Sequence, residues 1–162
     1  MITIVDYGMG NLRSVQKALE YIGAKVIVSS EPTDILKADK VILPGVGAFG
    51  QAMQNLEQKK LLDPLKKAML DKPFLGICLG MQLLLSVSAE FGPVAGLDVV
   101  KGSVDYFRDT PGFDQALSVP HMGWNTVRQR GAHQLFQGLP ESFYVYFVHS
   151  FYVQPTEPNI TI

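Results

Sequence analysis

Cys78, the one cysteine of the chain, stands in Pro73-Phe74-Leu75-Gly76-Ile77-Cys78-Leu79-Gly80-Met81-Gln82, where an apolar run gives way to a helix-like run. That pattern is a nucleophile elbow with sulfur in place of a serine oxygen. A strand that turns sharply into a helix pushes its apical side chain into the open and crowds the backbone, and small residues at Gly76 and Gly80 relieve the crowding. A helix N-terminus beneath Cys78 would favour the thiolate, the form that attacks carbonyl carbon. The competing reading is a small buried hydrophobe, the commoner fate of a lone cysteine. The glycine pair and the strand-to-helix context weigh against it.

A second constellation is Val41-Ile42-Leu43-Pro44-Gly45-Val46-Gly47-Ala48-Phe49-Gly50. Its glycines match the spacing of a dinucleotide-binding fingerprint. That fingerprint belongs on the first strand of its unit and wants an acid at the end of the next strand, whereas here the next strand ends in Cys78. The same glycines serve an acyl-transfer site equally well. Such a site needs N–H donors aimed at the developing oxyanion, one from the residue after the nucleophile and one from a neighbouring glycine-rich loop. Leu79 and Gly45, Val46 or Gly47 fit those two places. A glycine-rich turn that binds nothing is the third possibility.

The elements that must position these groups alternate along the chain as in a parallel sheet covered by helices. Strands are predicted at 2–5, 25–28, 41–43 and 74–77. A helix capped by Asn11 follows the Asp6-Tyr7-Gly8-Met9-Gly10 turn, with Leu12, Val15, Ala18, Leu19 and Ile22 facing inward and Gly23 ending it. Further helices are predicted at 49–57 and 61–70, where Pro64 lies close enough to the start to be tolerated. Beyond about Gly92 the pattern changes to short β-branched and aromatic segments, with strands expected at 99–107, 125–127, 143–148 and 151–153. The expected fold is α/β, a mostly parallel, Rossmann-like three-layer sheet with an additional β-rich segment in the C-terminal half.

At 162 residues the chain is one domain by length. A net charge of -1 offers no electrostatic case for nucleic acid or an anionic membrane. Lys59-Lys60 and Lys66-Lys67 read as solvated helix faces. A single cysteine makes no internal disulfide, the start of the chain does not read as a signal peptide, and no apolar run approaches membrane-spanning length. The expected location is the cytoplasm.

Four strings carry a resemblance. Pro44 to Gly50, Gly76 to Gln82, Pro120-His121-Met122-Gly123-Trp124-Asn125 and Tyr146-Phe147-Val148-His149-Ser150 resemble the glutaminase subunits of imidazole glycerol phosphate synthase, class I glutamine amidotransferases of histidine biosynthesis. With the opening Asp6-Tyr7-Gly8-Met9-Gly10-Asn11-Leu12, the resemblance runs the length of the chain. It implies that Cys78 attacks the side-chain amide of L-glutamine, forms a glutamyl thioester with release of ammonia, and is freed by water. The ammonia would pass to a cyclase subunit, a (βα)8 barrel that makes imidazole glycerol phosphate, so a heterodimer is implied. Gln82, Glu90 and Ser150 would hold the α-amino and α-carboxylate end of glutamine, Gly45 to Gly47 with Leu79 would form the oxyanion hole, and His121 to Asn125 would lie near the partner interface where ammonia leaves. By position alone, Gln82 and Glu90 read as helix-surface polarity. No cofactor and no metal is implied.

One element of that family's pattern is missing. A cysteine of this class needs a base and a carboxylate to orient it, which the family keeps in a histidine-proline-glutamate motif near its C-terminus. No His-Pro-Glu occurs in this sequence, and His121, His133 and His149 are its only histidines. His121 and His149 lie inside strings with other roles, and His133 reads as a loop or helix-start residue. The run Gln154 to Ile162 alternates as if another strand were beginning. The expectation is a single amidotransferase domain, 1–162, without its C-terminal catalytic segment and nearly inactive alone. Two other readings stay open: a different cysteine-elbow amide hydrolase, and a non-catalytic nucleotide-binding or scaffold module.

Overall fold

A computed structural model describes residues 1–131 and 133–161; Ala132 and Ile162 lie outside that description. In chain order the elements are β1 (Ile2–Val5), α1 (Leu12–Tyr21), β2 (Val26–Ser29), α2 (Pro32–Lys37), β3 (Lys40–Gly45), α3 (Phe49–Gln58), α4 (Leu62–Asp71), β4 (Phe74–Cys78), α5 (Leu79–Gln82), β5 (Leu85–Ser88), β6 (Val94–Ala95), β7 (Val100–Tyr106), β8 (His121–Arg128), β9 (Ser142–His149) and β10 (Phe151–Pro155). Strands β2-β1-β3-β4 form a parallel sheet. Strands β10-β7-β5-β6 form a mixed sheet, and β8 and β9 pair antiparallel as a separate ribbon.

The first sheet forms because its inner strands are predominantly apolar, β1 interrupted only by the buried Thr3, which suits a parallel sheet buried on both faces. Val41, Ile42 and Leu43 of β3 are buried, as are Ile4 and Val5 of β1. They pack in one core with Phe49, Ala52 and Leu56 of α3, Leu65 and Ala68 of α4, and Leu79 and Leu83 of the elbow region. The Asn11 cap is made as expected, with its side-chain oxygen accepting the Ser14 N–H at 3.3 Å. The ribbon alternates instead. Phe143, Val145 and Phe147 are half-buried while Tyr144, Tyr146 and Val148 are exposed, the period-two pattern of a strand with one covered face.

The fold class is the expected one, and three local expectations change. Helix α2 and strands β5 and β6 are absent from the sequence reading; β5 pairs with β6 and β7 through a short Leu-Ser-Val-Ser run that carries little signal of its own. The helix after Cys78 lasts only Leu79–Gln82, because Leu83 already packs in the core and the chain enters β5 at Leu85. A single turn carries little macrodipole, so the electrostatic help expected from a helix end is small. Near the end of the chain, a 3₁₀ turn at Pro158–Ile160 replaces the expected strand-like continuation, which is described only as far as Thr161.

Candidate active site

Cys78 ends β4 with φ +53° and ψ −117°, a conformation that an L-residue holds only where its surroundings force it. The forcing is steric. A Cβ added at Gly76 would lie 2.7 Å from Met81 Cα and 2.8 Å from the Gly80 carbonyl oxygen, and one added at Gly80 would overlap the Leu43 carbonyl oxygen of β3. The turn closes so tightly that only hydrogens fit on either side of the nucleophile position, and Cys78 is left exposed. This is the elbow read from the sequence.

The β3–β4 register sets Gly45 beside Cys78. Val46 and Gly47 continue from there as an exposed loop, with Gly47 at φ +118°. Cys78, Leu79, Val46 and Gly47 line one cavity of about 370 Å³ together with Gln82, Glu90 and Ser150. Every residue assigned above to the nucleophile, oxyanion and glutamine-binding roles, apart from Gly45 in the strand behind, therefore meets in one space. An adjoining cavity of about 440 Å³ shares Cys78 and Gln82 and is walled by aromatic side chains of β9 and β10.

Gln82 donates from Nε2 to the Phe151 carbonyl oxygen at 3.3 Å, so it braces the β9–β10 corner against the elbow. His149 reaches the same carbonyl from Nδ1 at 2.9 Å. A carbonyl only accepts, so Nδ1 carries a proton. His149 Nε2 faces His121 Nδ1 at 3.1 Å, and His121 Nε2 in turn lies 3.3 Å from Asn125 Nδ2. The result is a chain of contacts, Asn125 to His121 to His149 to Phe151, in which all four ring nitrogens are engaged. His149 lines the cysteine cavity, but neither of its nitrogens is free to take the thiol proton. His133 sits at the start of a 3₁₀ turn, accepting the Leu135 N–H, and lines a different cavity.

The family model for class-I glutamine amidotransferases matches residues 3–162. The imidazole glycerol phosphate synthase subunit HisH of Sulfurimonas denitrificans is 51% identical over 153 residues, covering 94% of this chain and 73% of that protein. Subunit HisH 1 of Methanococcus maripaludis is 48% identical over 164 residues, covering 99% and 78%. The chain belongs to the HisH family of class-I glutamine amidotransferases. A crystal structure of a glutamine amidotransferase shares its fold at 16% identity, with a TM-score of 0.71 over 98% of this chain and 76% of that one.

In this HisH-family chain Glu90 has an occupation that position alone did not reveal. Its Oε2 accepts the Phe49 N–H at 2.6 Å, at the first residue of α3, while its own N–H donates to Ser88 Oγ at 3.1 Å. The carboxylate thus fastens the end of the Gly45–Ala48 loop as a cap supplied from a distance, where a negative charge is favoured. Glu90→Ala is expected to cost about 1 kcal/mol of stability, within the range for losing a cap. Thermal unfolding would measure that loss, and Glu90→Gln, which keeps an acceptor, should recover most of it.

The partner string divides between two faces. Met122 and Trp124 point out of the ribbon, 60% and 71% exposed, opposite Val148 and Tyr146. His121 turns the other way against Phe147 and His149, and Gly123 lies between. Asn125 is exposed but spends its amide on His121 and on the Thr126 N–H. Sequence reasoning also missed Tyr7, read only as a turn residue: it is fully buried against the end of β3.

Proposed function

We propose that this chain is the glutaminase subunit of an imidazole glycerol phosphate synthase, serving histidine biosynthesis. The observation that carries the reading is the exposed Cys78, held at positive φ and sharing its cavity with the Val46–Gly47 loop. In this reading the thiolate sulfur adds to the side-chain carbonyl carbon of glutamine, and the charge moves to oxygen. The Leu79 N–H and an N–H of Gly45, Val46 or Gly47 receive that oxyanion. Collapse of the intermediate breaks the carbon–nitrogen bond. The nitrogen takes a proton and leaves as ammonia, water adds to the thioester, and glutamate departs with the thiol restored. Gln82, Glu90 and Ser150 orient the amino-acid end of the substrate, Glu90 by charge toward the α-amino group. Proton return is the slow point, because the histidine chain beside Cys78 offers no free nitrogen.

The partner is a cyclase subunit forming a heterodimer, with L-glutamine as the substrate on this side. Cytoplasm suits a reactive thiol that must stay reduced, and no helix among the described residues is long and apolar enough to cross a membrane. The docking face in this reading is the outward side of the ribbon, where Met122, Trp124, Tyr144, Tyr146 and Val148 expose a row of apolar and aromatic groups. Trp and Tyr anchors of this kind dominate interface energies. Trp124 is the only tryptophan, so its fluorescence reports the encounter directly. Titration with a cyclase subunit is expected to shift that emission to the blue, and Tyr146→Ala to weaken binding by about 30-fold, near 2 kcal/mol. An unshifted emission at saturating cyclase would move the interface elsewhere.

A further inference from the structure

Tyr7 is fully buried, yet its hydroxyl has no hydrogen-bond partner among the described residues. Buried polar groups are nearly always paired, and a phenylalanine would fill the same space without an orphaned oxygen. The position of that oxygen is informative. It lies close against Gly45: a Cβ built there would clash with the hydroxyl oxygen, as well as with the Gly80 N at 2.8 Å and Leu79 Cβ at 2.9 Å. Gly45 is the register partner of Cys78. The side chain therefore leaves the carboxyl end of β1, crosses the end of β3 and ends among the residues that frame the cysteine. Gly45 lacks a side chain where the hydroxyl needs room.

An orphaned donor finds its use when an acceptor appears. The neutral thiol of Cys78 is a weak acceptor and the thiolate a strong one. We propose that the Tyr7 hydroxyl is the hydrogen-bond donor reserved for the Cys78 thiolate, turning to the sulfur as it ionises and holding it for attack. The contact would exist only in the charged state, so it would favour ionisation and leave the resting thiol unassisted. Burial first, and then the neighbouring Cys78, push the Tyr7 hydroxyl above the ordinary tyrosine range, so it remains a donor throughout the working pH. The other titratable groups that share the cavities of Cys78 are Glu90, His149, Tyr146 and Tyr152. All four are unchanged in the substitution that tests the idea.

The proposal rests on the reading of Cys78 as the nucleophile, and the test separates the two. The rate of alkylation by iodoacetamide, followed by intact mass between pH 5 and 10, is compared in the parent chain, Tyr7→Phe and Cys78→Ser. Adduct that disappears in Cys78→Ser assigns the signal to the thiol. Tyr7→Phe is expected to raise the pH midpoint of labelling by about one unit and to slow labelling at pH 7 about tenfold, with a melting temperature equal to or above that of the parent chain. An unchanged midpoint, or a slower rate accompanied by a lower melting temperature and the same midpoint, would assign Tyr7 a packing role and overturn the proposal. Labelling that survives in Cys78→Ser would instead overturn the reading of the nucleophile.

Discussion

Cys78→Ser is expected to abolish covalent labelling by an electrophilic glutamine analogue, with a single adduct per chain in the parent and none in the variant. Deleting a nucleophile that acts within a catalytic set lowers turnover by about 10⁴- to 10⁶-fold in well-studied enzymes. The loss of turnover here is smaller, because the members of a catalytic set act non-additively and this chain already turns over without base assistance; the loss of labelling is complete, because a serine hydroxyl without a base is a far poorer nucleophile than a thiol. Labelling and turnover should part company. An adduct needs one attack by the thiolate, which the exposed sulfur and the oxyanion loop already permit. Turnover also needs a proton delivered to the leaving nitrogen and a water activated against the thioester, and base assistance of that kind contributes about 10²- to 10⁴-fold. The isolated chain of 162 residues is therefore expected to label readily and to release ammonia slowly. Ammonia released at ordinary enzymatic rates, and lost in Cys78→Ser, would show that a base exists within these residues after all.

The second large effect is structural, and it falls two residues from the nucleophile. Gly80→Ala places a methyl group on the Leu43 carbonyl oxygen, where the turn of α5 lies directly against the backbone of β3 and no flexible side chain can yield. Overpacking typically costs about 1–3 kcal/mol and more where nothing flexible can yield. A loss of about 3 kcal/mol or more is expected, a large part of the marginal stability of a domain this size. Gly112→Ala is the control. It meets nothing within 4 Å and carries only the strain of φ +79°, so about 1–2 kcal/mol is expected. Urea unfolding of the two variants would compare them, and equal losses would mean that the elbow is less tightly closed than its geometry implies. Labelling of Cys78 should fail in Gly80→Ala and persist in Gly112→Ala.

Much of this protein could be read without coordinates, because its decisive features are local. The elbow is written in Gly76, Cys78 and Gly80, whose spacing is dictated by a turn only glycine can accommodate. The apolar runs 2–5 and 41–43 specify buried parallel strands by composition alone, and Asn11 announces a helix start through a hydrogen bond to a residue three positions away. The strings around His121 and His149 fall on the two paired strands of the ribbon. They could not divide it. That Met122 and Trp124 face outward while His121 turns inward follows from strand alternation, but which face is covered depends on what packs beneath it.

What only the tertiary structure decided is everything that depends on residues distant in sequence meeting in space. Glu90 caps a helix that begins forty-one positions earlier. His121 and His149 meet across the ribbon, twenty-eight positions apart, each through one ring nitrogen, and their other nitrogens are engaged by Asn125 and the Phe151 carbonyl. Tyr7 reaches across β3 to the elbow. Helix propensity, periodicity and turn chemistry act over a few residues, so they fix elements and their ends. A hydrogen bond between side chains, or a hydroxyl left without one, is settled only when sheet register and layer packing have closed the distances between elements.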